Sequence, residues 1–320
     1  MKSPRLRIYV EMPLTDRERG AVEALVRHDD AWFAAPGKPP TAADIAAFAG
    51  TEVAFGAIAR SLLPYGEALR WVQFPSVGVD YYRDFDWTTL GGRVVCTNLR
   101  GVFNEAVAQT VLGSILTFYR GLDELVRAQD KREWRKMAVR PRLRVLRGAR
   151  VLMLGGGELG SRVREVLAPF GCSFKTFART GGEVRTPAEL DAALAEADIV
   201  CGVLPDTALT RGLLDARRLA LLQPTAILVN VGRGTLIDET ALSEVLRAGK
   251  LGGAVIDVTH KEPLPQESPL WTCPNILLTQ HTSAGSSHEI LDTIALFGEN
   301  LERYRAGQPV KNVVDWARGY

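Results

Sequence analysis

Six short apolar runs recur between residues 150 and 280, and segments with helical spacing separate them. The runs lie near residues 151, 173, 199, 226, 254 and 276. Apolar runs of this length are typical of strands buried on both faces, and their alternation with helices indicates a parallel sheet covered by helices. A shorter series with the same alternation occupies the first hundred residues. We therefore predict an α/β fold with two Rossmann-like domains, each a doubly wound parallel sheet, and a cleft between them.

The change from one series to the other sets the predicted domain boundaries. Residues 104–127 are predicted to form one long, largely buried helix, and the amphipathic segment 286–306 a final helix that could complete the first domain. We expect residues 1–100 and 287–320 to form a flavodoxin-like, substrate-binding domain. Residues 101–286 are expected to form a dinucleotide-binding Rossmann domain.

The composition argues against several classes of protein. The 320 residues carry a formal net charge of +2, which favours neither nucleic acid nor a membrane as a partner. The basic stretch 127–150 contains Trp134 as its single aromatic residue, so we interpret it as a solvated helix end and loop. Four scattered cysteines predict no disulfide framework and no metal site. The longest apolar stretch, 107–119, is shorter than the ~20 residues that span a bilayer, and a cytoplasmic protein is expected.

A glycine-rich turn follows the first strand of the second series. It is Gly155-Gly-Gly-Glu-Leu-Gly160, and a segment with helical spacing comes directly after it. In the dinucleotide-binding fingerprint the first glycine permits the tight turn, the second lets the backbone approach a pyrophosphate, and the third allows close packing of helix on strand. Gly155, Gly157 and Gly160 occupy these positions, and the helix start supplies N–H groups to the phosphates. Glu158 and Leu159 lie inside the turn, with the Glu158 side chain expected to point to solvent.

The end of the next strand predicts which dinucleotide is bound. An NAD site usually carries Asp or Glu there, to hold the ribose hydroxyls. This chain has Ala178-Arg179-Thr180 instead. The missing carboxylate removes repulsion against a 2′-phosphate, and Arg179 can pair with that phosphate. We predict that Arg179 and Thr180 contact NADP(H), which is preferred over NAD(H); the alternative is that Arg179 is a solvated loop residue.

Three polar side chains follow the last three predicted strands. Arg233 lies in Asn230-Val-Gly-Arg-Gly-Thr, Glu262 in Asp257-Val-Thr-His-Lys-Glu-Pro, and His281 in Leu278-Thr-Gln-His-Thr. In open α/β sheets ligands bind at the carboxyl ends of the strands. A cation, a carboxylate and an imidazole at one edge suit a reaction on a small acid that bears a carbonyl group.

Several motifs together resemble the D-isomer-specific 2-hydroxyacid dehydrogenase family over nearly the whole chain. They are Ser76-Val-Gly-Val-Asp80, Asn104-Glu-Ala-Val-Ala, the glycine turn, Leu204-Pro-Asp-Thr-Ala-Leu-Thr210, Asn230 to Asp238, Asp257 to Pro263, and Asn275 to His281. The segment from Phe103 to Trp134 is most similar to the NADPH-linked glyoxylate/hydroxypyruvate reductase branch. The resemblance implies NADPH-dependent reduction of a small 2-keto acid to the 2-hydroxy acid by a homodimer.

The resemblance also implies a role for each site residue. Arg233 would grip the substrate carboxylate and polarise the keto oxygen, while His281 would protonate that oxygen as hydride arrives. Glu262 would pair with the imidazole and stabilise its protonated form. The backbone at Val77 and Gly78 would bind the substrate carboxylate from the other domain. The remaining cofactor contacts would be Leu204, Pro205, Thr210, Val231, Gly232 and Asp257, the last toward the nicotinamide carboxamide.

The sequence departs from the family pattern near the predicted site. Gln280 replaces the proline that usually precedes the histidine, and Thr282-Ser-Ala-Gly replaces a commoner Ile-Gly form. These departures leave the substrate open, and a reductase for larger 2-keto acids is one alternative. A non-catalytic, corepressor-like NAD(P)-binding protein is another, because a fold does not determine a function. Arg60 is a further candidate for the substrate site, although an exposed arginine is the commoner case.

Overall fold

The structure, a computed structural model, describes residues 5–90 and 92–318. They form two compact units. The first covers the described residues up to Val102 and again from Ser286, and the second covers Phe103–Gly285. The predicted fold class is confirmed, because each unit is an α/β structure whose neighbouring strands pair in parallel.

The sheet of the first unit has the strand order β2-β1-β3-β4-β5. Its strands are β1 (Arg7–Glu11), β2 (Asp30–Phe33), β3 (Val53–Gly56), β4 (Trp71–Gln73) and β5 (Val95–Thr97). The helices among them are α1 (Asp16–Leu25) and α2 (Ala42–Ala49), with short 3-10 helices at Leu63–Tyr65, Asp80–Tyr82 and Trp87–Leu90. Both α-helices begin with a capping box, which pairs Thr15 with Glu18 and Thr41 with Asp44. The strand order is that of flavodoxin-like sheets.

The sheet of the second unit has the order β11-β10-β9-β8-β6-β7. Its strands are β6 (Arg150–Leu154), β7 (Ser173–Phe177), β8 (Ile199–Gly202), β9 (Ile227–Asn230), β10 (Gly253–Ile256) and β11 (Ile276–Leu278). The α-helices are α3 (Asn104–Tyr119), α4 (Leu122–Asp130), α5 (Lys136–Val139), α6 (Glu158–Leu167), α7 (Pro187–Glu196), α8 (Ala216–Leu219) and α9 (Glu239–Arg247). Short 3-10 helices lie at Arg140–Arg142, Ala168–Phe170, Gly234–Leu236 and Pro269–Thr272. The chain order reverses between β6 and β8, which is where such sheets bind ligands.

The prediction of one continuous helix over residues 104–127 is wrong. The chain forms α3 and α4 instead, and Gly121 before α4 has a left-handed φ of 61°. A Cβ at Gly121 would lie 2.9 Å from Val139, so the glycine also permits close packing of the later chain. The apolar spacing continued across the break and concealed it, because periodicity reports an apolar face and not the backbone angle at one residue. The apolar side chains of Leu122, Leu125 and Val126 in α4 are exposed, so the expectation of a largely buried helix is also wrong for this part.

Both sheets are buried on two faces, as their apolar strands predicted. In β6 the side chains of Leu152 and Leu154 join one core, and those of Val151 and Met153 join the other. In the first unit the last helix, α10 (Glu289–Arg305), packs against α1, and the ring of Phe297 stacks on Phe55 with 4.1 Å between centroids. None of the described helices is long and apolar enough to cross a membrane.

Candidate active site

The glycine turn after β6 has the backbone that a dinucleotide phosphate requires. Gly155 has a φ of 121°, which favours glycine. A Cβ at Gly160 would lie 2.3 Å from the Gly155 carbonyl oxygen, so only glycine allows α6 to approach the strand this closely. At Gly157, the residue before α6, a Cβ would meet nothing within 4 Å, and no side chain caps the helix there. The start of α6 is thus capped by no side-chain hydrogen bond, and the first N–H groups of a helix are the ones that bind anions.

The segment after β7 lies directly beside this turn. A Cβ at Gly156 would lie 3.2 Å from the Cβ of Ala178, and Arg179 and Thr180 follow as exposed residues. The nearby carboxylate of Glu183 is exposed but is engaged by the backbone. Hydrogen bonds from its own backbone N–H, and from that of Thr176, hold the pKa of Glu183 below its usual value. The ribose end of a bound dinucleotide would thus meet a small side chain and an arginine.

The conformation of the turn that carries Arg233 is fixed by other backbone segments that pack closely against Gly232 and Gly234. Asn230, at the end of β9, clamps the turn, because its side chain accepts from Gly232 N–H at 3.2 Å and donates to Arg233 C=O at 3.0 Å. A Cβ at Gly232 would lie 2.6 Å from the carbonyl oxygen of Leu204. A Cβ at Gly234 would lie 2.0 Å from the carbonyl carbon of Thr259.

This packing leaves the Arg233 side chain half-buried at the carboxyl edge of the sheet. Its Nη1 donates to the Gly232 carbonyl at 2.7 Å, which orients the guanidinium. The adjoining loop 204–210 is also closed on itself, since the Thr210 hydroxyl donates to the Pro205 carbonyl at 2.6 Å. Val231 is buried beside Gly232.

Glu262 and His281 form a pair, although 19 positions separate them in the sequence. The distance between Glu262 Oε2 and His281 Nδ1 is 2.6 Å. The other carboxylate oxygen of Glu262 accepts from Thr259 N–H at 2.9 Å, which fixes the carboxylate in place. The His281 side chain keeps 54% of its surface exposed. The carboxylate engages Nδ1 of the ring, which leaves Nε2 as the other ring nitrogen.

One residue, Thr259, connects the arginine turn with this pair. The carbonyl group of Thr259 packs on Gly234, and the N–H of the same residue donates to Glu262 Oε1 at 2.9 Å. The neighbouring His260 N–H donates to Glu239 at 2.6 Å. The structure therefore brings Arg233, Glu262 and His281 into one contiguous assembly. Thr259 and Glu239 were not predicted from the sequence. Both contacts are made by backbone N–H groups, which every residue except proline has, so the residue type does not reveal them.

Asp257, which the resemblance predicts to contact the nicotinamide carboxamide, comes directly after β10. It is 2% exposed, and its carboxylate accepts hydrogen bonds from residues that follow β11. Thr279 Oγ1 donates to Oδ1 at 2.6 Å, and Ser283 Oγ donates to Oδ2 at 2.5 Å. The backbone N–H groups of Thr282 and Ser283 also donate to Oδ1. The carboxylate thus accepts four hydrogen bonds from within the protein.

The remaining candidates lie in the first unit and are described by themselves. The turn after β4 is closed by the Ser76 hydroxyl, which donates to the Gly78 carbonyl at 2.6 Å, and Asn98 donates to the Val77 carbonyl at 3.0 Å. Arg60 donates to the carbonyl of Tyr81 at 3.3 Å, which favours a structural role. Among the residues that the structure describes, no group of three or more His, Cys, Asp or Glu side chains could hold a metal.

Comparison with known proteins agrees with this arrangement. Residues 112–283 match the family of D-isomer specific 2-hydroxyacid dehydrogenases at its NAD binding domain. A glyoxylate/hydroxypyruvate reductase B from Pectobacterium atrosepticum is 32% identical over 269 residues, which cover 81% of this chain and 83% of that protein. The chain belongs to the D-isomer-specific 2-hydroxyacid dehydrogenase family. The prediction of an enzyme of this class, with glyoxylate/hydroxypyruvate reductases among its relatives, is confirmed.

Two solved structures are similar over almost the whole chain. A D-isomer specific 2-hydroxyacid dehydrogenase from Xanthobacter autotrophicus Py2, in complex with NADPH and MES, has a TM-score of 0.85 and 29% identity, and the match covers 99% of this chain and 100% of that one. An NADPH-dependent glyoxylate/hydroxypyruvate reductase from Sinorhizobium meliloti, in complex with NADP and malonate, has a TM-score of 0.78 and 26% identity, with 98% of each chain covered. The two-unit fold is therefore shared along its length.

Proposed function

We propose that this enzyme reduces a small 2-keto acid, of the glyoxylate or hydroxypyruvate type, with NADPH. The observation that carries the proposal is the 2.6 Å pair of Glu262 and His281, joined through Thr259 to the turn of Arg233. Bound NADPH would supply the hydride. In this proposal the second unit binds the dinucleotide, and the first unit binds the substrate through the backbone at Val77 and Gly78.

The chain's own residues supply binding and proton transfer. The Arg233 guanidinium matches a carboxylate bidentately and also polarises the adjacent keto oxygen. His281, oriented by Glu262, delivers the proton from Nε2 to that oxygen. The carboxylate holds Nδ1 and so fixes the orientation of the ring. In the reverse direction the neutral imidazole accepts the same proton.

A substrate and variant panel tests this assignment. Purified protein should consume NADPH with glyoxylate or hydroxypyruvate, followed by absorbance. His281→Ala should lower kcat by about 100-fold or more, since general acid catalysis contributes ~100- to 10,000-fold. Arg233→Ala should lower kcat/KM by about 100-fold or more. Near-normal rates in either variant would refute the roles, and turnover only with bulky 2-keto acids would favour the larger-substrate alternative. Tight NADPH binding without turnover of any acid would favour a non-catalytic binding protein.

The NADPH preference is proposed from the residues after β7. Ala178 lies against the glycine turn, Arg179 follows it as an exposed cation, and Glu183 is engaged by backbone N–H groups. Arg179→Ala should raise KM for NADPH about ten-fold, because a hydrogen bond to a charged group contributes about 1.5–3 kcal/mol. KM for NADH should change little. Arg147→Ala, another exposed arginine of the same unit, is the matched control. A wild-type enzyme that prefers NADH would overturn the proposal.

A homodimer is proposed from an apolar surface on and after α4. The helix exposes Leu122, Leu125 and Val126 at 39–59% of their surface, and Trp134 and Met137 follow at 92% and 77%. Leu122, Leu125 and Val126 lie on one face of the helix by their spacing. Exposed apolar patches of this kind mark interaction surfaces. The double variant Leu122→Glu with Val126→Glu should shift the molar mass by light scattering from dimer to monomer, and a wild-type monomer at micromolar concentration would contradict the proposal.

A further inference from the structure

The turn that carries His281 has an unusual backbone. Gln280 has a φ of 53° and His281 a φ of 56°, so two consecutive residues with side chains adopt the left-handed conformation. Side chains other than glycine occupy this region at a cost in conformational energy, because Cβ approaches the following carbonyl oxygen. Such a pair persists when surrounding interactions determine it.

The surrounding interactions converge on Asp257. Its carboxylate accepts from Thr279 before the turn and from Thr282 and Ser283 after it. Its backbone carbonyl accepts the N–H of His281 itself at 2.6 Å. One residue therefore binds the turn on both sides and at its centre.

Burial makes these bonds effective. Asp257 and Ser283 are 2% and 4% exposed, so water competes weakly for the carboxylate. The Thr282 hydroxyl donates to the Thr279 carbonyl at 2.5 Å across the turn. The Thr110 hydroxyl of α3 donates to the Ser283 carbonyl at 3.3 Å, which ties the far end of the turn to a helix.

We infer that Asp257 is a positioning residue for His281: its buried carboxylate holds the left-handed turn in which Nδ1 meets Glu262. This inference rests on the proposed function, in which His281 is the proton donor. This role differs from the one that the resemblance implies, a hydrogen bond to the nicotinamide carboxamide. The hydroxyl groups of Thr279 and Ser283 hold the same turn, and Ser283 lies in the stretch 282–285, where the sequence departs from its family's commoner form.

The two roles of Asp257 predict different kinetics. A residue that positions the proton donor affects kcat and leaves NADPH affinity unchanged, whereas a cofactor contact affects the dissociation constant of NADPH. Asp257→Asn separates them, because the amide keeps the size of the side chain but cannot accept on both sides. We expect kcat with hydroxypyruvate to fall about ten-fold or more, with the dissociation constant of NADPH, measured by fluorescence, within about two-fold of wild type. A weaker NADPH complex with unchanged kcat would overturn the inference.

If Asp257→Asn fails to fold, substitutions of its hydrogen-bond donors test the same inference with a smaller perturbation. Thr279→Val removes one donor and should lower kcat by a smaller factor, and Thr279→Ser, which retains the hydroxyl, should restore it. A Thr279→Val enzyme with wild-type kcat would count against a role of these hydrogen bonds in positioning His281. Asp191→Asn alters a carboxylate of α7 that pairs with Arg217 and Arg218, and it is the matched control with unchanged turnover.

A structural measurement separates this inference from the proposed function. Amide hydrogen exchange over residues 279–283 should accelerate in Asp257→Asn, while exchange over residues 150–154 of β6 should stay as in wild type. If wild-type protein reduces no 2-keto acid but exchange accelerates, the proposed function fails and the role of Asp257 in the turn stands. If exchange and kcat both stay unchanged, the inference fails whatever the enzyme reduces.

Discussion

The turn that carries Arg233 is shaped by glycines, whereas the turn that carries His281 is shaped by hydrogen bonds to a buried carboxylate. In the first turn Gly232 and Gly234 lie against the backbone at Leu204 and Thr259, with no room for a methyl group. In the second, Gln280 and His281 both take left-handed angles without being glycine. Both turns follow strands of the same sheet, and both end in a polar side chain at its carboxyl edge.

The difference shows two ways of fixing a side chain. A turn fixed by backbone packed on glycine has little room for another conformation, and even one added methyl group should destabilise it. A hydrogen-bonded turn tolerates volume, but it depends on every donor that offsets its conformational cost. The arginine turn should therefore be sensitive to a single methyl group, and the histidine turn to the loss of polar atoms or to a change in the allowed backbone angle.

The largest expected effect is that of Gly234→Ala. The added Cβ would lie 2.0 Å from the Thr259 carbonyl carbon and 2.4 Å from the His260 nitrogen, so backbone must move. We expect a loss of stability of about 3 kcal/mol, at the upper end of overpacking. The fall in kcat/KM should be about 100-fold or more, because the shift displaces both Arg233 and Glu262. Chemical unfolding and steady-state kinetics measure the two effects.

Gly113→Ala is the matched control for this variant. Gly113 lies in α3, and a Cβ there would meet nothing within 4 Å. Because alanine favours a helix over glycine, we expect a gain of about 0.5–1 kcal/mol. If Gly234→Ala were as well tolerated as Gly113→Ala, packing would not be what shapes the arginine turn.

Gln280→Pro should have the next largest effect. The proline ring locks φ near −65°, so residue 280 could not keep its angle of 53°. We expect His281 to move away from Glu262 and kcat to fall by about ten- to 100-fold, since a displacement of ~1 Å can cost ~100-fold. The substitution brings the sequence closer to the family's usual pattern, yet it should harm this enzyme. Wild-type turnover in Gln280→Pro would show that the left-handed turn is dispensable.

An ion pair at the amino edge of the same sheet should contribute to the stability of the fold but not to catalysis. Arg150, at the start of β6, pairs with Asp198, just before β8, through two hydrogen bonds at 3.0 and 3.1 Å. The Arg150 guanidinium holds the pKa of Asp198 below its usual value. A carboxylate whose pKa is lowered by folding contributes stability above its unfolded pKa, and that contribution is lost as the pH falls through the folded pKa.

Asp198→Asn tests that contribution. The variant should unfold at a lower denaturant concentration than wild type at pH 7. The difference should shrink below about pH 4, where Asp198 of the unfolded and then of the folded wild type becomes protonated. Turnover at pH 7 should match wild type. A difference that is constant with pH would contradict the assignment of the shift to this pair.

The smallest expected effect has the opposite sign. Gln280→Gly removes the cost of a left-handed side chain, about 1–2 kcal/mol, but adds about 0.5–1 kcal/mol of backbone entropy to the unfolded state. We expect a net gain of about 0.5 kcal/mol, seen as a slightly higher Tm, with turnover near wild type. A lower Tm would indicate that the Gln280 side chain stabilises the turn by contacts of its own.

Much of the fold could be predicted from local patterns. Apolar runs and helical spacing located the strands of the second sheet, because burial on two faces requires continuous apolar residues. The break between α3 and α4 could not be predicted in this way, since the apolar face continues across Gly121. The isolated parallel bridge between Phe177 and Val184, which extends the sheet beyond β7, also left no pattern because it involves one residue on each side.

Residue type alone indicates those parts of the site where a single kind of residue can fit. Gly155 and Gly160 in the dinucleotide turn, and Gly232 and Gly234 beside Arg233, are such positions, because only glycine allows their angles or close contacts. The tertiary structure alone decided which partners meet. Glu262 reaches His281 across 19 positions, and Asp257 reaches Thr279 and Ser283 across 22 and 26. These residues meet because β10 pairs with β11 in a fixed register. Neither short segment, read alone, shows which residue of the other segment it will contact.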